Sequence, residues 1–503
     1  MQTQRYVVQA TGTTLIVLED DRIRMFSLDE RQEWRVGRYD PTMNDLPEIL
    51  FTSKLVSRDH GSIRNIDNQW YYVDNPRNMN GTFHNGVKIP RPVSGYKSSA
   101  QLNNGDVLRI DSKDLSHTHS QGVLMLFTTA AVKGTWTMFP LKQSSVVIGR
   151  DENCDIVEYL PYISAKHAQI SYLNGRYYLS DCGSTAGTFV NGKQVVDRVV
   201  LQEKDCISLC DCNYFFLGDK LLYAKRNREK ELQDLKLVMP KERPVVLKAD
   251  IDTKMVKDNN GNGMKELIRD IHLEIREGTL VALLGTAGAG KSTVMNCLNG
   301  MDLEGVQGYV RYRNVDLMKN FDQMKYLIGS VPQEKTFHPE FTPEKEFRLA
   351  AQKRLPADTT RDEIEDRVNK TLEILGINGV RRNKNSKLSG GEKTRVNIGI
   401  ELVADRDLLC LDEPDQGLDP KYKHEVFQIM RNLAHENGKS VLSIIHDVSE
   451  IDAFDQVIML VKAQGVGRLA FSGTPAEMRE HFGVEDIRNV YGLLEKDPDK
   501  YVL

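Results

Sequence analysis

One short loop constrains the fold of this chain more than any other feature. The apolar residues 280–284 lead directly into Gly285-Thr-Ala-Gly-Ala-Gly290-Lys291-Ser292-Thr293. When a G-x-x-x-x-G-K-S loop joins a strand to a helix, backbone N–H groups approach nucleotide phosphates and the helix adds the positive end of its dipole. The loop therefore predicts an α/β domain that binds a nucleotide. The predicted phosphate-binding residues are Gly285, Gly288, Gly290, Lys291, Ser292 and Thr293.

A second nucleotide-binding element is expected at the end of another buried strand. Residues 408–411 are apolar and are followed by Asp412 and Glu413. In such sites one carboxylate orders the Mg²⁺ that accompanies ATP, and its neighbour orients or deprotonates the attacking water. We expect Asp412 to take the first role and Glu413 the second. Lys291 is expected to contact the β- and γ-phosphates, and Ser292 to bind Mg²⁺.

Four further motifs occur in order around these two elements. They are Gln333 after Val331-Pro332, Leu388-Ser389-Gly390-Gly391-Glu392, Gly417-Leu418-Asp419, and His446 after an apolar run. From about residue 247 onward, the whole set resembles the ATP-binding domain of ABC transporters. The resemblance implies ATP hydrolysis with Glu413, His446 and Gln333 as catalytic residues. It also implies Mg²⁺ ligation by Ser292, Gln333 and Asp412.

The same resemblance implies a dimer. In that family the signature loop, here Ser389, Gly390 and Gly391, contributes to ATP bound on the opposite subunit, and Asp419 is expected at the nucleotide as well. One chain holds one complete set of motifs. Two copies are therefore expected to meet head-to-tail around two ATP molecules.

Other segments resemble the G-type exporter branch of that family. These are Phe341-Thr342-Pro343 and Phe471-Ser-Gly-Thr-Pro475, and residues 335–387 are expected to form a helical subdomain that meets a membrane permease. The permease is expected either as a separate chain or as a missing C-terminal domain. Two features depart from the family: no aromatic residue lies near Lys254, and Asp415-Gln416 stands where the branch commonly has Thr-Ser.

The first half of the chain contains an internal repeat. Its landmarks recur in one order: Gly37-Arg38 as Gly149-Arg150, Ser57-Arg58-Asp59-His60 as Ser164-Ala165-Lys166-His167, residues 81–86 as 187–192, and residues 106–110 as 205–209. Short alternating apolar runs separated by turn residues are typical of an all-β sandwich. The pairs Asn85-Gly86 and Asn191-Gly192 predict tight hairpin turns, since both residues accept a positive φ.

The repeated set resembles the forkhead-associated (FHA) domain, which reads phosphothreonine peptides. Phosphothreonine carries nearly two negative charges and three acceptor oxygens, so its pocket needs arginine, hydroxyl and amide donors on rigid loops. In the first copy the resemblance implies phosphopeptide binding by Arg38, Ser57, Arg58 and Asn80, with His60 fixing a loop.

The second copy keeps only part of that set. It retains Arg150, Ser164 and His167, but Ala165 and Ala186 replace the second arginine and the asparagine. Lys166 is one position out of register and is not assumed to compensate. We expect the second copy to be a weak phosphopeptide reader or a spacer.

Composition restricts location and partners. Lys and Arg total 67 against 71 Asp and Glu, so the net charge of −4 predicts no nucleic-acid partner. No apolar run approaches the ~20 residues that span a bilayer. Seven cysteines in 503 residues are too few for a disulfide framework and favour a reducing cytoplasm. The predicted location is cytoplasmic, and peripheral on the cytoplasmic face of the membrane.

The predicted fold class is multidomain. Two all-β sandwiches are followed by an α/β P-loop ABC ATPase domain with a helical subdomain. The predicted limits are 1–130 for FHA domain 1, 131–222 for FHA domain 2, 223–246 for a charged linker with a short exposed helix, and 247–503 for the ATP-binding domain.

The predicted function is that of an ATP-hydrolysing subunit, or cytosolic half, of an ABC exporter. Phosphothreonine recognition, on a partner protein or a Ser/Thr kinase, would regulate its assembly or activity. The alternative is a soluble, phosphopeptide-regulated ABC ATPase or scaffold that is not coupled to transport.

Overall fold

The computed structural model divides the chain into two compact units, Met1–Asp234 and Leu235–Leu503. The structure describes residues 6–8, 13–19, 22–43, 45–66, 69–84, 87–89, 99–102, 106–112, 122–128, 135–225, 228–257, 263–313 and 315–503. The predicted turn at Asn85-Gly86 lies outside the described residues.

Two facing sheets build the first sandwich of the first unit. The strands up to residue 128 are β1 (Tyr6–Val8), β2 (Thr14–Glu19), β3 (Arg22–Ser27), β4 (Glu33–Arg38), β5 (Ile49–Phe51), β6 (Gly61–Ile66), β7 (Gln69–Asp74), β8 (Thr82–His84), β9 (Val87–Lys88), β10 (Ser99–Leu102), β11 (Val107–Ile110) and β12 (Val123–Thr128). One sheet has the order β10-β7-β6-β4-β5, and the other has the order β3-β2-β12-β11-β8-β9. Trp34, Phe51, Tyr72 and Phe127 belong to the core of this sandwich.

A second sandwich follows with the same plan. Its strands are β13 (Thr135–Pro140), β14 (Val146–Gly149), β15 (Ile156–Val157), β16 (Ala168–Leu173), β17 (Arg176–Asp181), β18 (Phe189–Val190), β19 (Lys193–Gln194), β20 (Val199–Val200), β21 (Cys206–Leu209), β22 (Cys212–Phe216) and β23 (Lys220–Lys225). The sheets have the orders β15-β14-β16-β17-β20 and β1-β13-β23-β22-β21-β18-β19. Asn191 and Gly192 join β18 to β19 with φ values of 50° and 77°, which confirms the predicted hairpin turn.

One position in the sheet is taken by different strands in the two sandwiches. In the first, β2 precedes the repeat landmarks and lies between β3 and β12. In the second, the equivalent place between β13 and β22 is taken by β23, which follows the landmarks. The N-terminal strand β1 pairs with β13 and so extends the sheet of the second sandwich. The duplication is therefore not a simple tandem copy.

The sandwiches of the first unit also share an apolar contact. Every residue of β12 is buried, although the strand turns only one face to its own core. The other face belongs to a separate cluster formed by Ile16, Leu18, Val107, Leu124, Leu126, Phe215 and Leu222. Arg109 adds a hydrogen bond of 3.1 Å to the Lys204 carbonyl oxygen. These contacts join the two repeats into one body.

The second unit is built around one mixed sheet. Its strands are β24 (Val245–Lys257), β25 (Met264–Arg276), β26 (Leu280–Gly285), β27 (Val306–Tyr312), β28 (Val315–Asp316), β29 (Ile328–Val331), β30 (Leu408–Asp412), β31 (Ser440–Ile444), β32 (Gln456–Ala463) and β33 (Val466–Gly473), in the order β28-β27-β24-β25-β33-β32-β26-β31-β30-β29. β26, β31, β30 and β29 pair in parallel, so their carboxyl ends meet at one edge of the sheet.

The α-helices of the described residues lie in the second unit, except that the first one begins in the first unit. They are α1 (Arg228–Lys236), α2 (Lys291–Leu298), α3 (Leu317–Met324), α4 (Pro343–Arg354), α5 (Arg361–Ile374), α6 (Gly390–Leu402), α7 (Pro420–His435), α8 (Pro475–Phe482) and α9 (Arg488–Lys496). α4 and α5 lie within the predicted helical subdomain. Among the described residues, no helix combines the length and the apolar character that crossing a bilayer requires.

The segment that joins the second sandwich to the sheet of the second unit is shorter than the predicted linker, residues 223–246. Its first residues complete β23, whose last residue is Lys225, and its last residues open β24 at Val245. Leu222 and Tyr223 are buried in the second sandwich. This burial makes them part of β23, although a run of charged residues follows them in the sequence. The expected short helix is present as α1 between the two strands.

Candidate functional site

The loop between β26 and α2 has the shape of an anion cradle. Gly288 and Gly290 adopt φ values of 70° and 83°, which favour glycine. Gly290 is the N-cap of α2 and offers no side-chain cap, so the first N–H groups of the helix remain available to a ligand. A Cβ on Gly285 would lie 2.8 Å from the Leu460 carbonyl oxygen, so only glycine fits there.

Lys291 lies between this loop and two carboxylates. Its Nζ donates to the Gly285 carbonyl oxygen at 3.1 Å. Burial lowers the pKa of Lys291, and the charges of Glu413 and Asp412 oppose that shift. Ser292 and Thr293 follow in the first turn of α2. The six predicted phosphate-binding residues are therefore together in one strand–loop–helix segment.

Asp412 ends β30 at the same sheet edge. Burial, and then the charge of the neighbouring Glu413, raise the pKa of Asp412, although His446 and Lys291 partly offset the effect. Two adjacent ionised carboxylates repel each other, so a cation bound beside them is stabilising. Oxygen donors suit Mg²⁺, and Ser292, Asp412 and Gln333 all provide them. The residues present fit the predicted Mg²⁺ site.

Glu413 is the centre of a hydrogen-bond network. His446 Nε2 lies 2.6 Å from Glu413 Oε1. Gln333 Nε2 donates to Glu413 Oε2 at 2.8 Å, and Gln416 Nε2 donates to the same oxygen at 3.0 Å. The structure thus brings together the three predicted catalytic residues, which are up to 113 positions apart in sequence (333 to 446). Gln416 joins them without having been predicted.

The predicted signature loop lies at the start of another helix. Ser389 caps α6: its Oγ accepts from the Glu392 N–H at 3.3 Å, and Glu392 Oε2 accepts from the Ser389 N–H at 2.8 Å. Gly390 and Gly391 form the first turn of α6, and Asp419 is the N-cap of α7. Within the described part of the chain, no hydrogen bond joins these residues to the cradle.

A second loop cluster lies at one end of the first sandwich. The Arg38 N–H donates to the Ser57 carbonyl oxygen at 2.9 Å. Ser57 Oγ accepts from the Met79 N–H at 3.2 Å, which leaves its hydroxyl hydrogen for another acceptor. Asn80 Nδ2 donates to the Leu55 carbonyl oxygen at 2.8 Å. These bonds gather Arg38, Ser57 and Asn80 around adjoining loops.

Arg58 places a positive charge at the exposed surface of this cluster. Its side chain is 62% exposed, and its Nε lies 2.5 Å from Asp40 Oδ2. Hydrogen bonds from Thr42, followed by the charges of Arg58 and Arg38, hold the pKa of Asp40 below its usual value. The side chains of Arg58 and Arg38 therefore share one anionic neighbour. All four predicted phosphopeptide-binding residues belong to the cluster.

His60 holds the loop from inside the sandwich. It is fully buried, and its Nδ1 accepts from the Ser57 N–H at 2.9 Å. Burial lowers the pKa of His60 to about 4, against the opposing effect of the Gly81 backbone. The imidazole is therefore neutral at pH 7. This geometry matches the loop-fixing role that the sequence predicted.

The second sandwich repeats the scaffold of this cluster. His167 Nδ1 accepts from the Ser164 N–H at 3.2 Å, and Ser164 Oγ accepts from the Thr185 N–H at 3.2 Å. Arg150 Nε donates inward to the Ile163 carbonyl oxygen at 3.0 Å. The positions of Arg58 and Asn80 are taken by alanine, as the sequence predicted.

Comparison with known proteins decides the family of each part. A sequence model described as "ABC transporter" matches residues 268–416, and one described as "FHA domain" matches residues 34–111 and 146–210. The chain joins two FHA domains to an ABC transporter ATP-binding domain. The predicted fold class and the predicted family are both confirmed, and the ABC domain is an ATP hydrolase domain of the ABC transporter type.

The relatives are longer than the part that this chain matches. The ABC transporter ATP-binding/permease protein Rv1747 of Mycobacterium tuberculosis is 31% identical over 359 residues, which are 71% of this chain and 39% of that protein. ABC transporter G family member 19 of Arabidopsis thaliana is 31% identical over 229 residues, or 44% of this chain and 31% of that protein. The chain thus spans less than half the length of these relatives.

Among solved structures, cbiO1 from Clostridium perfringens, part of the ABC transporter complex cbiONQ, is 25% identical. The match covers 50% of this chain and 99% of that chain with a TM-score of 0.41.

Two residues of the sites escaped prediction from the sequence. Gln416 was visible only as a departure from the usual ABC motif, with no sign of its partners. Asp40 follows Arg38 by two positions, and nothing in the FHA motif marks it. Both act through side-chain contacts that form only when distant loops meet.

Proposed function

We propose that this chain is the ATP-binding and hydrolysing part of an ABC exporter, and that phosphothreonine recognition by its first FHA domain regulates assembly or activity. One observation carries the proposal. The chain combines a cradle-and-carboxylate site with a loop cluster in which the charges of Arg38 and the exposed Arg58 act on the same carboxylate, Asp40. Recognition of a phosphorylated partner, or of the kinase that phosphorylates it, is the regulatory use of such a cluster.

Each of the predicted site residues of the ABC domain has a part in hydrolysis. Lys291 and the N–H groups from Gly288 to Thr293 hold the phosphates. Ser292, Asp412 and Gln333 would hold Mg²⁺, which supplies charge stabilisation to the phosphates when bound. Glu413 accepts a proton from the attacking water, and His446 holds the carboxylate at its other oxygen.

We further propose a head-to-tail homodimer. Ser389, Gly390 and Gly391 lie at the N-terminus of α6, where the positive end of the helix dipole favours an anion. Since they are not joined to the cradle of their own chain, they are free to face ATP held by a second copy. Asp419 is the N-cap of α7, the next helix along the chain.

The permease is the remaining partner. The relative from Mycobacterium tuberculosis is named an ATP-binding/permease protein, and this chain spans 39% of it. We propose that a membrane permease, either a separate chain or a further segment, receives the helical subdomain at α4 and α5. The chain would then act at the cytoplasmic face of the membrane.

The hydrolysis step is tested with Glu413→Gln. Removal of a general base lowers turnover by about 10²–10⁴-fold, while ATP binding is retained. We therefore expect a dimer with trapped ATP in size-exclusion chromatography, and loss of phosphate release. Glu495→Gln, an exposed position on α9, is the matched control. Normal hydrolysis by Glu413→Gln would contradict the assignment of the base.

Coupling to transport is tested by purification from membranes in detergent. Recovery of a polytopic membrane protein with the chain, reduced by substitutions in α4 and α5, supports the exporter. Recovery of none, together with full ATPase activity in solution, would favour the soluble ATPase instead.

A further inference from the structure

Gln416 lies beside the catalytic carboxylate because of a tight backbone turn. The Gln416 N–H donates to the Glu413 carbonyl oxygen at 3.2 Å. Glu413 has a φ of 48°, so the chain folds back immediately after β30. Asp415, between them, is 2% exposed and anchors the turn in the interior. The side chains of Glu413 and Gln416 consequently lie within hydrogen-bond distance of each other.

The orientation of both glutamine amides is fixed by the carboxylate. An ionised carboxylate only accepts hydrogen bonds. Gln333 and Gln416 must therefore each turn an NH₂ group toward Glu413 Oε2, as their distances of 2.8 Å and 3.0 Å require. Gln416 Oε1 then accepts from Gln333 Nε2 at 2.9 Å. The three side chains close a ring of three hydrogen bonds, in which both hydrogens of the Gln333 NH₂ group have an acceptor.

This ring has a consequence for Gln333. Its NH₂ group is occupied by Glu413 and Gln416, so its Oε1 is the atom that remains for a metal ion. An amide turned the other way would offer hydrogen atoms to the cation and would lose both bonds. Gln416 therefore selects the orientation of Gln333 that suits Mg²⁺.

We propose that Gln416 is a positioning residue for hydrolysis, which holds the Glu413 carboxylate and keeps the Gln333 amide oxygen available to Mg²⁺. The inference rests on the hydrolysis proposed above. A serine at this position, as the related exporter branch commonly has, is too short to bond both partners. This chain thus carries a link between the Glu413 and Gln333 loops that the usual motif lacks.

The first measurement is steady-state ATP hydrolysis by the full chain with Gln416→Ala and Gln416→Glu. The second variant keeps the size of the side chain but removes its donor. We expect kcat to fall about ten-fold in both, with KM for ATP changed less than about two-fold, because Gln416 touches the carboxylate and not the phosphate cradle. Gln307→Ala, an exposed glutamine on β27, is the matched control.

The second measurement does not depend on turnover. Free Mn²⁺ is followed by electron paramagnetic resonance during titration of the chain with a non-hydrolysable ATP analogue. We expect Gln416→Ala to weaken Mn²⁺ binding several-fold while affinity for the metal-free analogue is unchanged.

The outcomes separate the two proposals. Wild-type chain without ATP hydrolysis contradicts the proposed function, and the Mn²⁺ titration then still decides the role of Gln416. Active wild-type chain with unchanged kcat and unchanged Mn²⁺ affinity in both variants overturns the inference. Equal loss of metal-free nucleotide binding would assign Gln416 a merely structural role and would overturn it as well.

Discussion

The two FHA domains share one loop scaffold and differ in the side chains placed on it. In each, a buried histidine accepts from the backbone of a serine, at 2.9 Å for His60 and at 3.2 Å for His167. In each, that serine accepts from a backbone N–H across the next loop, at 3.2 Å in both copies. The scaffold is built from buried groups and main chain.

The exposed side chains on that scaffold differ between the two copies. Arg58 is largely exposed at the first cluster, whereas Ala165 takes its place in the second. Asn80 is likewise replaced by Ala186, which is buried. The comparison teaches that the shape of this loop cluster is maintained by buried groups and main chain, while its charge is a separate property that a few substitutions remove.

The largest expected effect is the loss of peptide binding when the first cluster loses its charge. Each charge-assisted hydrogen bond contributes about 1.5–3 kcal/mol. Arg38→Ala with Arg58→Ala should therefore lower the affinity for a phosphothreonine peptide by at least about 100-fold. Isothermal titration of the full chain measures this. Arg64→Ala, paired with Glu33 on β4, is the control, and residual tight binding would show that the second domain also reads phosphothreonine.

A second effect concerns acid stability. The pKa of His60 is lowered by burial to about 4, whereas an unfolded histidine has a pKa of about 6.5. The unfolded chain therefore binds the proton more readily, and stability falls as the pH drops from about 6.5 to about 4. The total loss is about 3 kcal/mol of unfolding free energy.

Urea unfolding at pH 7 and at pH 5 measures that loss. Trp34, Trp70 and Trp136 are the three tryptophans of the chain, and all lie in the first unit, so their fluorescence reports it selectively. His60→Gln should show a smaller decrease between the two pH values than the wild type. An identical decrease in both would mean that other groups cause the acid sensitivity.

A smaller effect is a gain of binding by the second domain. Ala165→Arg with Ala186→Asn restores the missing donors on an intact scaffold. On a background of Arg38→Ala and Arg58→Ala, we expect affinity for a phosphothreonine peptide to rise about ten-fold, since Arg150 Nε remains committed to Ile163. Fluorescence anisotropy with the unphosphorylated peptide as control measures the gain. No gain would show that the scaffolds differ more than their hydrogen bonds indicate.

The smallest effect separates folding from binding at the two serines. Ser57→Ala and Ser164→Ala each remove one acceptor of a backbone N–H, at a cost of about 1 kcal/mol in unfolding free energy. Only Ser57→Ala should also weaken peptide binding. Equal binding losses in the two variants would contradict the difference proposed between the domains.

The sequence predicts the fold in its main parts because each part has an ordered local signature. Gly285 through Thr293 predicts the cradle, since the loop, the strand before it and the helix after it are contiguous. The FHA repeat predicts two sandwiches from landmarks that lie within each copy. The place of β2 and β23 in their sheets was not predictable, because equivalent positions are filled from opposite ends of the two repeats.

The residues of the candidate sites also differ in whether the sequence predicts them. Glu413, Gln333 and His446 each lie in a recognisable motif, yet their hydrogen bonds join residues on three separate segments. Asp40 and Gln416 lie in no motif of their own, and their importance comes only from what the fold places beside them.

The sequence by itself determined the identity of the domains and the chemistry of their binding residues, because those depend on residue types at short spacings. Tertiary structure alone decided which loop contacts which. It placed Gln416 between Glu413 and Gln333, set Asp40 against Arg58, and joined the two FHA domains through β12. The physical reason is that hydrogen bonds and ion pairs act over a few ångströms in space, whereas sequence records only neighbours along the chain.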